Sequence, residues 1–594
     1  MNGSVRAGVL HRVVHDRIRV VLVGLSLVLT ALPAVASPAP AAAAEGDVSA
    51  GAVALVNSAS SGYSDYTNYV SPYLDQFGVF VTEVDLASDP LPAPLGDESL
   101  IIIGHPLVDP DGTYLDAAEQ TAIADAVAAG TGLVSFDSDV WIDTATPRYS
   151  FIDTIFTFND PPSTSTSTSG LIFPTPGGHD ITDPHSPGST LITGTMTLAT
   201  LDIPADVDAL VTSAGSPLVA ATAHGSGNAV QWASIDWMSH DVLGPISGMD
   251  DVLWRSLVWA ARKPFVMQSM PPFVTMRMDD VDGSPSLDWV EATNDYDFKP
   301  WLGVFYDSMT PDAATELSGI VAAGDATVSI HSNVSASSGE FFYFDHSGGV
   351  DRADADLAAS FAEGTAWHDT YGIPVSEHLV GHYYEVGSNA LTGGDDWGLD
   401  DWGVEFIGIP MEPGLPHTAS DWLAAGPYRL SETGAPNDQA TPAYYADYYT
   451  MPSGEEFFAC FSEIRGVTSY EWLTGVNTAT ATEAIDVGTE WLTRGLDSLI
   501  LASLFTHEYE VDGIAPGVWR DIVAGVTAAV ADYDPIYVTM DDACRYARAI
   551  HDSSIASATY SAGGELTITL DGTTDSPTKV AAFFNGGSGI EQAW

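Results

Sequence analysis

The chain reads as α/β in two units: a parallel α/β sheet over residues 48–268, then a barrel-like (β/α) sheet over 271–552, with a short β segment at 553–594. Three observations predict this. Short apolar runs alternate with helix-like stretches through both units. A proline-flanked stretch, 264–272, separates them as a linker. In the second unit the ionisable residues fall at the ends of the apolar runs, where the chemistry of β/α barrels is found.

The first unit begins with a strand at 52–57 and a helix around 66–77, followed by strands at 79–84 and 99–104. A helix at 116–129 and a strand at 132–137 complete the alternation. Residues 161–169, Pro-Pro-Ser-Thr-Ser-Thr-Ser-Thr-Ser, read as a low-complexity loop. In the second unit strands are expected at 274–279, 299–307, 326–330, 374–380, 404–409, 500–505 and 535–540. Helices are expected at 286–296, 311–323, 352–371, 516–531 and 541–551.

The stretch 274–283, Val-Thr-Met-Arg-Met-Asp-Asp-Val-Asp-Gly, opens the second unit. Val274, Met276 and Met278 alternate with Thr275 and Arg277, then Asp279 and Asp280 follow side by side. Two adjacent carboxylates repel unless a cation or a proton lies between them, or water solvates both. Later strand ends carry His331, His382 and His507. Carboxylate and imidazole donors gathered at one sheet edge suit a divalent ion, Zn²⁺ above all, with a position left for water or substrate.

Eighty acidic against 18 basic residues give a formal charge of −62, yet 45% of residues are hydrophobic. That is too apolar for a disordered acidic chain and describes a folded protein with an acidic coat. Such a coat favours a soluble monomer and is self-repulsive at low salt, which fits a salt-rich habitat. Nucleic acid is excluded as a partner, because phosphate binding needs basic patches. Residues 1–44 carry the pattern of a secretory signal: Arg6, Arg12, Arg17 and Arg19, an apolar run at 20–31, and small residues at 34–36 and 41–44. Removal of this segment, with its four arginines and one aspartate, leaves a charge of −65 and no membrane span. The expected location is secreted, extracellular or at the cell surface. Export permits a disulfide between the two cysteines, Cys460 and Cys544, although their spacing does not show one.

The first unit resembles the class I glutamine-amidotransferase-like fold in its trehalose-utilisation-protein-like branch, through its strand–helix order and the tail 229–265. The resemblance implies a flavodoxin-like α/β domain. Active members use a cysteine nucleophile, and this unit has no cysteine. It is therefore expected to be non-catalytic, bracing its neighbour or binding carbohydrate.

The second unit resembles a divergent polysaccharide deacetylase of the NodB-homology type, with carbohydrate esterase family 18, which includes the fungal galactosaminogalactan deacetylase, as the nearest variant. Residues 276–283 match that superfamily's Asp-Asp-Gly motif with two extra residues before Gly283. His331-Ser332 matches the front of its His motif, but Ser335 stands where a second His belongs. Residues 504–507 match its closing Leu-x-His element. The resemblance implies a distorted (β/α) barrel that hydrolyses N-acetyl groups of amino sugars in a polysaccharide. Asp279 would be the general base and His507 the general acid, with Asp280 and His331 holding the metal. His382 is the first choice for the remaining ligand, with His378 and His346 as competitors. Trp301, Tyr306, Tyr383 and Tyr384 would offer sugar-stacking surfaces, and Arg429 or Arg465 would take the role of the superfamily's orienting arginine. Two rival readings are a glycoside hydrolase with paired carboxylates and a non-catalytic surface carbohydrate-binding protein. The tail 553–594 resembles the start of an accessory β-sandwich.

Overall fold

The computed structural model describes residues 19–21, 47–143, 146–167, 171–173, 178–191, 195–239, 244–246, 248–333, 343–345, 350–382, 385–387, 389–390, 409–411, 446–450, 456–460, 471–473, 481–574, 576–586 and 589–593. The fold is mixed α/β, with strands in parallel sheets and helices packed on them.

The first unit is built on a nine-stranded sheet. Four strands run parallel in the order Val81–Asp85, Ala52–Val56, Leu100–Ile103 and Gly132–Ser135. All but the edge strand are wholly buried, which is why they read as continuous apolar runs. Helix Ala117–Ala129 is started by a capping box in which Asp116 and Glu119 satisfy each other's backbone N–H. Gly227–Trp232 extends the parallel half. The sheet then turns antiparallel through Ser216–His224, Asp208–Ser213, Leu171–Ile172 and Thr190–Leu191. Residues 160–167 are not the expected loop. They form a strand, Asp160–Ser167, paired antiparallel with Met196–Asp202. Thr164 and Thr166 are β-branched, and that preference outweighs the low complexity of the sequence.

In the second unit Thr327–Ser332, Trp301–Phe305, Phe273–Val281 and Ala502–His507 lie side by side, all parallel. Ile536–Tyr537 pairs with the start of Phe273–Val281. Helices Asp288–Asn294, Pro311–Ala323, Asp354–Tyr371, Ala481–Asp497, Pro516–Ala529 and Met540–His551 accompany the sheet. Among the described residues no strand links the Thr327–Ser332 edge to the Ala502–His507 edge, so the sheet there is open rather than a closed barrel. Residues 374–380 are not the expected strand. They touch the sheet through Ser376 N, which donates to Val328 O at 2.7 Å, and side chains do the rest of the anchoring. Of the strand expected at 404–409, residues 404–408 lie outside the described residues; Ile409–Met411 is a short strand.

The two units meet across a buried polar seam. Arg494 Nη2 is 2.7 Å from Asp251 Oδ1, His185 Nε2 is 2.6 Å from Asp251 Oδ2, and Trp254 Nε1 donates to Asp497 O at 2.7 Å. Burial alone would raise the Asp251 carboxyl, but Arg494 and His185 hold it well below the ordinary range. Burial and the Asp251 charge push the neighbouring Asp250 up to about 7.

The tail forms more β structure than its apolar runs suggest. Ser553–Tyr560 and Leu566–Gly572 pair with each other, flanked by Val48–Ser49 and by Arg19–Val21, the latter from within the expected signal segment. Ala581–Gly586 pairs antiparallel with Phe265–Met267 in the linker, and Phe583 packs in the core of the first unit. The tail thus packs on the first unit and the linker.

Candidate metal centre

Asp279 and Asp280 close the strand Phe273–Val281. Successive side chains on a strand point to opposite faces, so two adjacent carboxylates should not reach one site. The backbone resolves this. Asp280 has φ of 57°, the left-handed region that a non-glycine residue rarely enters. The register with Trp301–Phe305 shifts between Met278 and Val281, as at a bulge. Asp279 Oδ2 and Asp280 Oδ1 both face His331 Nε2, at 3.9 and 3.3 Å.

His331 lies in Thr327–Ser332 and is 2% exposed. Its Nδ1 hydrogen-bonds to Val380 O at 2.9 Å. That bond fixes the ring with its Nε2 facing Asp280. Gly303, on the adjacent strand, makes this position possible: a Cβ there would sit 3.1 Å from the Cβ and Cγ of His331 and 2.9 Å from Trp301 Cζ3. His382 Nε2 approaches the same Asp280 Oδ1 at 3.6 Å. One donor atom from each of Asp280, His331 and His382 lies within 4.8 Å of the others. The set comprises two imidazole nitrogens and one carboxylate oxygen, all nearly buried. The donor types fit a divalent ion. Burial opposes charge on Asp280, yet His331, followed by His382, holds its carboxyl below the ordinary range.

Asp279 is 2% exposed. Arg277 Nε is 3.3 Å from its Oδ1, and the Arg277 guanidinium lies 3.9 Å above the Phe505 ring. Arg277 is fully buried. Burial pushes Asp279 up, against the pull of Arg277 and His331. His507 sits directly across the sheet from Asp279 in register. Its Nδ1 is hydrogen-bonded to Glu471 Oε2. Burial would lower the imidazole, but the Glu471 bond and the charge of Asp279 raise it above the ordinary histidine value.

Several residues escaped the sequence reading. Glu471 stands in no apolar run, and nothing in its local sequence joins it to His507. Arg277 was visible only as the polar face of a strand, whereas the structure pairs it with Asp279. Glu508 Oε2 accepts from Asp282 N at 2.7 Å and Gly283 N at 2.9 Å, while Oε1 accepts from Trp289 Nε1 at 3.2 Å. It ties the loop after Asp280 to the end of Ala502–His507, and burial pushes its carboxyl up to about 8.

Trp301 is not a substrate platform. It is 0% exposed, and its Nε1 donates to Ser376 Oγ and His378 O, both at 3.0 Å. Its first position on a central strand turns the indole into the core. Tyr306 is likewise buried. His378 stands outside the ligand group, with Nδ1 3.3 Å from Cys544 Sγ. Tyr383, Tyr384, Arg429, Arg465 and His346 lie outside the described residues. Among the described residues, Tyr509 is an exposed aromatic beside His507, 53% exposed, its ring stacked on that imidazole at 4.9 Å between centroids.

Fold and site together define a mixed α/β protein with a candidate divalent-metal centre at the ends of parallel strands. No protein-family model matches the chain, and no curated protein matches it. Solved structures give partial likenesses. A cytoplasmic protein of Salmonella typhimurium LT2 is 16% identical over 31% of this chain and 87% of its own, with a TM-score of 0.22. A ThuA-like protein of Bacteroides uniformis is 13% identical over 37% of this chain and 95% of its own, at 0.24. A cold-adapted β-galactosidase of Rahnella is 15% identical over 32% and 29%, at 0.21. Likenesses this slight identify no function. No helix among the described residues is long and apolar enough to cross a membrane.

Proposed function

We propose that the chain is a metal-dependent hydrolase that removes acetyl groups from N-acetylated amino sugars of a polysaccharide. One observation carries this reading. The Asp280–His331–His382 group lies beside a buried carboxylate, Asp279, and faces, across one strand pair, an imidazole backed by a carboxylate, His507 with Glu471. Deacylation of an amide needs those parts: a Lewis acid, a base for water and an acid for the leaving amine.

Zn²⁺ is the ion that suits two imidazoles, one carboxylate and an open position. When bound at such a site, it acidifies water and polarises a carbonyl. Asp279 takes the proton of the attacking water, with Arg277 fixing the orientation of its carboxylate. His507, kept protonated by Glu471, delivers a proton to the departing nitrogen. Tyr509 presents an exposed ring to a sugar at the mouth. The reading brings with it a distorted (β/α) barrel. It also brings export, supported by the N-terminal pattern.

Two further carboxylates near the centre are engaged otherwise: Glu471 with His507, and Glu508 with two backbone N–H groups. The test is acetate release from N-acetylated hexosamine polymers before and after EDTA, with Zn²⁺ then restored. Release that stops with chelation and returns with zinc supports the proposal. New reducing ends without acetate would point to a glycoside hydrolase, and neither product would leave a binding protein.

A further inference from the structure

Glu508 is a buried carboxylate that the proposed chemistry does not use. It follows His507 directly, opens the helix Glu508–Asp512 and is 1% exposed. Both of its oxygens are engaged. Oε2 accepts from Asp282 N at 2.7 Å and Gly283 N at 2.9 Å, and Oε1 accepts from Trp289 Nε1 at 3.2 Å. Trp289 is itself held, because its carbonyl accepts from Trp519 Nε1 at 3.1 Å. One carboxylate thus joins the end of the strand Ala502–His507 to the loop after Asp280 and to the helix Asp288–Asn294.

That loop does not hold its shape on local preference alone. Asp280 and Gly283 both have a left-handed φ, 57° and 71°. Glycine adopts it freely, but for Asp280 it persists only where the surroundings impose it. Ser284 N donates to Asp282 Oδ1 at 2.9 Å, which tightens the turn from within. Glu508 fixes the same turn from outside, one residue beyond the point where Asp279 and His507 lie opposite each other. Two other roles fit less well. Glu508 is not a member of the Asp280–His331–His382 group, and both its oxygens face N–H donors. Nor does it cap its own helix, since none of its three partners belongs to Glu508–Asp512.

We propose that Glu508 is a positioning residue for the metal centre. By holding Asp282 N and Gly283 N it imposes the turn that brings Asp279 and Asp280 to one site, level with His507. The proposal rests on the reading of Asp280, His331 and His382 as metal ligands, and it gives Glu508 no contact with the ion and no part in proton transfer.

Glu508→Gln, Trp289→Phe and the double variant test this in the full chain, with Asp280→Ala as the variant that lacks a ligand. A glutamine oxygen still accepts from Asp282 N and Gly283 N, but its amide then sets N–H against Trp289 Nε1–H. Trp289→Phe removes that opposition. Zinc affinity is read by competition with a chromophoric chelator, and the visible absorption of the Co²⁺-loaded protein reports ligand geometry. Glu508→Gln should weaken zinc binding roughly 10-fold and alter the Co²⁺ spectrum. In the Trp289→Phe background the same change should weaken it by less than about twofold and leave the spectrum of Trp289→Phe unaltered. Glu508→Asp keeps the charge but falls short of the loop; it should weaken binding as Glu508→Gln does, and it serves where that variant does not fold. A lower Tm with parental zinc affinity and Co²⁺ spectrum would overturn the proposal, and so would an equal loss in both backgrounds. A parent protein that binds neither ion, or binding that Asp280→Ala leaves intact, would instead overturn the metal reading and the proposal with it.

Discussion

His507 Nδ1 is hydrogen-bonded to Glu471 Oε2, and the bond makes the imidazole a stronger base than burial alone would leave it. A general acid must hold its proton at the working pH. Glu471→Gln keeps the shape but removes the charge that stabilises the imidazolium. The alkaline limb of the pH–rate profile for acetate release should move to lower pH, and activity near neutrality should fall roughly 10–100-fold. An unmoved alkaline limb would separate His507 from the proton transfer.

Metal binding should depend on the three converging side chains. Asp280→Ala, His331→Ala and His382→Ala should each lose bound zinc, measured by elemental analysis, and lose the rise in Tm that saturating zinc gives the parent protein. Asp280→Ala or His331→Ala with full metal content and activity would sink the assignment.

Gly303→Ala tests the support behind that site. The added methyl meets His331 and the Trp301 ring closely, and the strand backbone has little room to yield. Zinc affinity should fall roughly 10–100-fold, the range seen when the surroundings of a ligand are disturbed.

Trp301 and Tyr509 should behave as opposites. Trp301→Ala empties a fully buried site and should cost about 3–5 kcal/mol of stability, read by denaturant unfolding. Tyr509→Ala removes an exposed ring and should change stability by under about 0.5 kcal/mol. On the proposed substrate it should raise KM roughly 5–10-fold, the worth of one aromatic contact.

The seam between the units should make stability pH-dependent. Folding raises the Asp250 carboxyl to about 7, so between about pH 4 and about pH 7 the folded protein holds a proton that the unfolded chain has lost. The contribution of Asp250 to stability is therefore greatest below that window and falls as pH rises through it. Asp250→Asn should gain on the parent across the same range, reaching roughly 2–4 kcal/mol by pH 8. Tm measured from pH 4 to 8 for both proteins gives the comparison. Asp251 acts in the opposite sense, because Arg494 and His185 overcome its burial and hold its carboxyl down.

The parallel strands of both units were legible because their residues are buried on both faces and so form continuous apolar runs. Asp279, Asp280, His331 and His507 stood out because each lies at the end of such a run, whereas the segment before His382 is not a strand. Trp301 was misplaced by the same logic: a strand end identifies which residues can reach a site, but not which way an aromatic turns. The strand at Asp160–Ser167 has no apolar run to mark it and shows itself only in its pairing with Met196–Asp202.

By itself the sequence determined an α/β chain in two units, an acidic coat and the residue types of a metal centre, since periodicity, charge and donor chemistry are properties of local residues. Among the described residues, the tertiary structure brings His382, and not His378, to Asp280 and His331. It also showed how two adjacent carboxylates reach one side of a strand, and it joined Glu471 to His507 and Arg277 to Asp279. The carboxylate arrangement depends on a left-handed φ at Asp280 and the Glu471–His507 bond on segments 36 residues apart, and neither leaves a local trace in residue order, whereas Arg277 and Asp279 are two apart on one strand and share a face.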